Sequence, residues 1–260
     1  RRVMGFSPVR HAEFREQVRE LRDLLRNGET IHRAEGAQHK VKYLHRDLRF
    51  INLDDPPIPL YVAANGPKTL ALAGEFGDGI ITTGVMAPDR VAAVLKHVSE
   101  GAQRAGRTIG NLPLVSLTHV CVLRAGEKLD SPRVAAMTGH WVMASMHAVA
   151  AGYARVESMP APMRTVFAGY SDYVTSMRTP PAERYLDLHI GHCTFVAPQE
   201  RRFVTPEAID ATTIVGPREE VVAKLRALEK AGLTQVFVNP PMDGFNDYVD
   251  ELSREVIEKM

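Results

Sequence analysis

Two histidines three residues apart, His189 and His192 in the run HIGHCTF, are the side chains best suited to move protons near neutral pH. On a helix that spacing puts both rings on one face, as general acid or substrate anchors. The plain alternative is a partly exposed pair with no chemistry. Metal binding is the weakest reading, since HxxH without a carboxylate or third ligand is not a zinc signature, and no metal is expected. A second chemistry is suggested by Ala63-Ala64-Asn65-Gly66-Pro67, where small residues end an apolar strand just before a helix N-terminus. A phosphate can approach bare backbone N–H groups there, although the same residues also make an ordinary βα turn. Thr82, Thr83 and Gly84 end the next strand, where hydroxyls can bond a ring carbonyl or a substrate oxygen. Threonine is equally a common strand former.

These residues need a frame, and the segment from Leu60 to Gly84 supplies it. A strand (Leu60 to Ala64), a tight turn, a helix (Pro67 to Phe76) and a second strand (Gly79 to Thr83) follow so closely that only a βαβ unit fits. Asp78-Gly79 makes the helix-to-strand turn and Lys68 points to solvent. Upstream, Phe14, Val18, Leu21 and Leu25 recur at helical spacing between Ser7-Pro8 and Asn27-Gly28. Residues 29–57 look irregular, with short strands suggested at Val41, Tyr43 and Phe50-Ile51 and a turn at Asp54-Asp55-Pro56-Pro57. Downstream, Ala87-Pro88-Asp89 opens a helix, and Leu112 to Leu123 reads as one further strand. Residues 127–208 break the βα rhythm and read as a helical insertion, with Trp141 and its methionines as core and a loop-like Met- and Pro-rich stretch from Ser158 to Pro181. Gly216-Pro217 then starts a helix ending at Ala231-Gly232, and Gln235 to Asn239 forms a strand before a C-terminal helix. About four parallel strands result, against the eight of a closed (β/α)₈ barrel.

Composition narrows the function. With 260 residues, 45% hydrophobic, 24% charged and a net charge of +1, the chain has the make-up of a soluble globular protein acting on small molecules. Its dispersed charges form no nucleic-acid stripe, and no apolar run is long enough to cross a bilayer. Cys121 and Cys193 are far apart with no zinc-ligand spacing, which suits a reducing cytoplasm, and Cys121 in a buried strand should be inert. Gly-x-Gly-x-x-Gly, a P-loop and Gly-x-Ser-x-Gly are all missing, so a Rossmann site, nucleotide hydrolysis or a serine hydrolase lacks support.

The run YVAANGPKTLALAGEFGDGIITTG, the helix from Phe6-Ser7-Pro8 to Gly28-Glu29 and the later stretch from HIGHCTF to TQVFV resemble the bacterial luciferase-like flavin and deazaflavin oxidoreductases, close to the methylenetetrahydromethanopterin reductase branch. The resemblance implies an α/β fold of (β/α)₈ TIM-barrel type. It further implies a single domain over residues 1–260, N-terminally truncated so that mainly the C-terminal half of the barrel is present, with 127–208 inserted. It implies coenzyme F420 (a deazaflavin) or FMN as cofactor, held near Ala63, Ala64, Asn65, Gly66, Thr82 and Thr83. Hydride transfer to or from a small organic substrate follows, with His192 and His189 as catalytic candidates and a homodimer in the complete protein. FMN-dependent monooxygenation, a different barrel reaction such as an aldolase or isomerase, and an inactive fragment or cofactor-free binding protein are the alternatives. Val85 stands where the sugar-phosphate dehydrogenase branch carries a phosphate-holding lysine, which argues against a phosphorylated sugar.

Overall fold

The computed structural model describes residues 7–45, 48, 57–152 and 154–260. The chain divides into two compact units, Arg1–Thr82 with Ala92–Val115, and Thr83–Val91 with Ser116–Met260.

In the first unit, helix α1 (His11–Asn27) starts three residues later than Ser7-Pro8 suggested, because extended Arg10 occupies the N-cap. It ends as expected at Gly28, which takes a left-handed φ of 74° and donates its N–H to the Leu24 carbonyl. The segment expected to be irregular begins with an antiparallel hairpin, β1 (Glu29–Ala34) and β2 (Ala37–Lys42), turned at Glu35 and Gly36, both with positive φ. Val41 lies in β2, whereas Tyr43 falls just past it and donates its N–H to Gly28. Phe50-Ile51 and Asp54-Asp55-Pro56 lie outside the described residues. The expected βαβ unit follows as β3 (Tyr61–Ala63), α2 (Pro67–Phe76) and β4 (Gly79–Thr83), with β3 and β4 parallel in the register Val62↔Ile80. Asp78 does more than turn the chain: its carboxylate accepts the Leu60 N–H at 2.9 Å and pairs with Arg26 at 2.7 Å. Helix α3 (Pro88–Arg104) crosses α2 at glycines, since a Cβ on Gly101 would stand 1.7 Å from the Ala71 carbonyl oxygen, and one on Gly74 2.0 Å from that of Val98. No side chain fits at that crossing.

The expected single strand from Leu112 to Leu123 is in fact two, β5 (Leu114–Thr118) and β6 (Val120–Leu123), in different sheets. The break is His119, whose ring is fully buried and whose carbonyl accepts the Ile214 N–H at 2.9 Å. There the chain leaves the four-stranded sheet, ordered β3-β4-β5-β8, and β6 pairs in parallel with β7 (Ile214–Pro217) in the register Val120↔Ile214. Strand β7 occupies Gly216-Pro217, so α8 (Arg218–Lys230) begins after that pair rather than on it. Strand β8 (Gln235–Val238) and α9 (Phe245–Glu255) complete the chain much as expected. The described strands form three open sheets, and no closed barrel is seen among the described residues.

Residues 127–208 are helical, and they include the stretch taken for a loop. Helices α4 (Pro132–Ala150), α5 (Ala161–Ser176) and α6 (Arg184–Leu188) precede a 3-10 turn at Pro198–Phe203 and then α7 (Pro206–Thr212). Pro160 and Pro162 sit at the N-cap and first turn of α5, where a missing N–H costs nothing, so they start the helix instead of breaking it. Its inner face carries Met163, Phe167 and Tyr170, packed with Met143, Met146, Phe203 and Ile209, each worth about 2 kcal/mol of burial. Trp141 lies in the core as expected, its Nε1–H donating to the Thr212 carbonyl at 2.9 Å.

Candidate active site

His189 caps the C-terminus of α6 and His192 lies in the turn beyond, so the pair is not on a helix. Their rings are nonetheless neighbours, with centroids 4.9 Å apart. Between them and the core stands His147 of α4, whose ring lies 5.4 Å from that of His192 and 5.8 Å from that of His189. His147 Nδ1 is 3.1 Å from His192 Nδ1, and its Nε2 is 3.1 and 3.3 Å from the Glu200 carboxylate oxygens. The Tyr170 hydroxyl donates to Glu200 Oε1 at 2.9 Å. His147, Tyr170 and Glu200 are almost fully buried, and His192 is half-buried. His189 donates from Nδ1 to the Tyr185 carbonyl at 2.8 Å. Sequence reasoning found the outer two histidines and missed the inner three residues. The available signal was His140 and His147, two turns apart on one face of an apolar helix, because a buried polar ring demands a partner.

A second set of bonds fixes the turn that carries His192. Asn239, immediately after β8, donates its side-chain N–H to the Cys193 carbonyl at 3.1 Å, and Met242 donates its N–H to Thr194 at 3.0 Å. Cys193 itself is held at φ 60°, a conformation costly for a residue with a side chain. The Asn239 carbonyl in turn accepts two imidazole protons, from His119 Nδ1 at 3.0 Å and His140 Nε2 at 2.8 Å. The His119 ring also stacks on Tyr248, with centroids 5.1 Å apart. The histidine turn is therefore tied to the C-terminal ends of β5 and β8, the side on which parallel α/β folds carry chemistry.

Burial sets the proton affinities. The His192 pKa is pushed down to about 4, first by desolvation and then by the imidazoles of His147 and His189, so this ring is neutral at pH 7. That of Tyr170 is raised by desolvation and by Glu200, which keeps its proton in the hydroxyl. Desolvation and His140 push His119 down to about 3. Burial pushes the Cys121 thiol up to about 11, leaving it unreactive. Among the described residues, no group of histidines, cysteines and carboxylates has the geometry to hold a metal ion, and no helix is long and apolar enough to cross a membrane.

The turn residues belong to the first unit. Ala63, Asn65 and Lys68 are exposed, Ala64 is buried with its N–H on the Ile81 carbonyl at 2.9 Å, and Gly66 forms the N-cap of α2. No acidic residue occupies the first turn of α2, and Gly66 presents no side chain, so this helix end suits a phosphate or other anion. Thr82 is buried and its hydroxyl donates to the Val115 carbonyl at 3.0 Å, committing its proton to the sheet, whereas Thr83 is exposed.

Parallel βα units with polar groups collected at strand ends define an α/β protein of the (β/α)₈ class. The family model described as luciferase-like monooxygenase matches residues 4–235, and the chain belongs to that family. It is 26% identical over 226 residues to the 5,10-methylenetetrahydromethanopterin reductase of Methanopyrus kandleri, covering 85% of this chain and 57% of that protein. Over 107 residues it is 36% identical to an F420-dependent glucose-6-phosphate dehydrogenase of Beutenbergia cavernae, covering 41% of this chain and 30% of that one. The structure of the coenzyme F420 dependent tetrahydromethanopterin reductase from Methanopyrus kandleri superposes with a TM-score of 0.56 at 21% identity, over 96% of this chain and 63% of the other, which supports the shared fold. The chain thus spans well under two thirds of the length of the reductase sequence it matches.

Proposed function

We propose that this chain is part of a deazaflavin- or flavin-dependent oxidoreductase that moves a hydride between its cofactor, coenzyme F420 by preference, and a small organic substrate. The observation carrying this is the likeness, across 85% of the chain, to a 5,10-methylenetetrahydromethanopterin reductase, together with a shorter match of higher identity to an enzyme named as F420-dependent. The bound deazaflavin or flavin ring would supply the hydride donor or acceptor. The turn Ala63, Ala64, Asn65 and Gly66 would line the cofactor phosphate; the Ala64 and Gly66 N–H groups are held by the Ile81 carbonyl and the Thr69 hydroxyl, so the donors would be the backbone N–H groups of the first turn of α2, with Thr83, and Thr82 through its hydroxyl oxygen, offering polar contacts at the end of β4. His192, with His189 beside it, would exchange a proton with the substrate. Val85 is buried and apolar where the sugar-phosphate dehydrogenase branch carries a lysine, which argues against a phosphorylated sugar as substrate. Residues 127–208 are read as an insertion in a cytoplasmic homodimer that has neither nucleic acid nor membrane as partner.

Spectroscopic titration with F420 and with FMN tests the reading. Gly66→Ala keeps a permitted backbone (φ −103°) and places its Cβ no closer than 3.9 Å to Thr69, so the fold is undisturbed. The expected result is F420 binding that this variant weakens at least about tenfold at unchanged melting temperature. Anaerobic F420 reduction supports hydride transfer, whereas FMN binding with oxygen consumption would make the enzyme a monooxygenase. Binding of neither cofactor would overturn the proposal.

A further inference from the structure

We infer that Glu200, acting through His147, is the positioning residue that fixes which nitrogen of His192 carries the proton, leaving Nε2 as a bare base. The inference rests on the reading of His192 as the proton-exchanging group. It follows from the donor and acceptor capacities of the four side chains. A carboxylate only accepts, so the hydrogen in the 3.1 Å contact between His147 and Glu200 belongs to His147 Nε2. With a single ring proton, on Nε2, His147 presents a lone pair at Nδ1, and the 3.1 Å contact between the two Nδ1 atoms is then filled by the His192 Nδ1–H donating to His147. His192 Nε2 is left with its lone pair and no hydrogen-bond partner among the described residues. The Tyr170 hydroxyl, donating at 2.9 Å, fixes the carboxylate from the opposite side.

The same wiring carries a proton inward without any change of electron ownership. When His192 Nε2 forms a bond to a substrate proton, the His192 Nδ1–H bond breaks and that proton bonds to His147 Nδ1. His192 ends neutral, and His147 becomes an imidazolium with its Nε2–H on the Glu200 carboxylate. Net, one proton has left the substrate and one positive charge stands beside a buried negative one. Both are almost wholly out of water, where such attraction is strong. The reverse sequence returns the proton. Among the described residues, the titratable groups against His192 are His147 from α4 and His189 at the end of α6; behind His147 stand Glu200 from the 3-10 turn and Tyr170 from α5, with Tyr173 against Tyr170. Only Glu200 among them is an acid that can balance the imidazolium.

Long-range proton–nitrogen NMR of the histidine rings, with kinetics on the full enzyme, tests the inference. At pH 7 the wild-type protein should show His192 protonated on Nδ1 and His147 on Nε2. In Glu200→Gln the carboxamide can donate to His147 Nε2, so both rings should swap to the opposite tautomer, and kcat should fall roughly a hundredfold with little change in KM. Tyr170→Phe, which keeps the charge, should retain the wild-type tautomers and lose only a few-fold in kcat. Wild-type His192 protonated on Nε2, or His192 with the same tautomer in Glu200→Gln, would overturn the inference; the first needs no variant to fold. Should the tautomers behave as stated while His192→Ala turns over normally, the wiring stands and the proton-exchange reading of His192 fails.

Discussion

His140 and His147 lie seven residues apart on one face of α4 and are equally buried, yet they face opposite circumstances. His140 shares a single backbone carbonyl with His119 and is held neutral by desolvation; among the described residues no acid contributes to that shift and its Nδ1 has no hydrogen-bond partner. His147 meets a carboxylate on one nitrogen and a half-exposed imidazole on the other. Burial holds His140 neutral, whereas the carboxylate beside His147 can balance a charge on that ring. The His119–His140–Asn239 cluster is thus a girder, and the His192–His147–Glu200–Tyr170 chain is a conductor.

The largest effect that could break this contrast is on turnover. His192→Ala should lower kcat of the complete enzyme by about 10²–10⁴-fold, while His140→Leu, if it folds, should leave kcat within a few-fold. Steady-state kinetics on the two variants decides it. Next comes stability: His147→Leu leaves Glu200 buried with only a tyrosine partner and should cost about 3–5 kcal/mol by urea unfolding. Adding Glu200→Leu should recover more than half of that loss, because the stranded charge is gone. His140→Leu should cost only about 1–2 kcal/mol, since His119 still donates to Asn239.

The girder also makes a pH prediction. His119, about 3 in the fold against about 6.5 in the unfolded chain, is neutral in the native state over a range where the unfolded chain is protonated. Its contribution is complete above pH 6.5 and is lost as pH falls toward 3, at up to about 1.4 kcal/mol per pH unit. The fall in unfolding free energy between pH 6.5 and 4 should be shallower in His119→Leu. An unchanged slope would mean that His119 is already protonated in the fold. The smallest effect belongs to Cys193→Gly, which relieves a left-handed φ and should shift stability by no more than about 1 kcal/mol in the favourable direction.

Much of the frame was legible in the sequence. The bounds of α2 and β4 match expectation because the apolar period and the Gly and Pro punctuation agree at both ends. The break at His119 was hidden because LVSLTHVCVL is one unbroken β-forming run, and only pairing with a strand about a hundred residues away divides it. Strand β7, four residues ending in proline, reads as a helix start, and the prolines of α5 read as a loop when they are its first turn. The site followed the same logic. His189 and His192 announced themselves by proximity in the chain, while the contacts that add the inner three, His147 to His192, His147 to Glu200 and Tyr170 to Glu200, span 45, 53 and 30 residues, beyond any local pattern.

That two strands share one continuous run also bears on how this gene can change. An inserted or deleted residue between Leu114 and Leu123 would reverse which side chains face inward on one strand or the other and pull His119 off Asn239. Length variation in this ten-residue stretch should therefore be purged, while the tip at Glu35-Gly36, where a Cβ on the glycine would meet nothing within 4 Å, is free to grow or shrink.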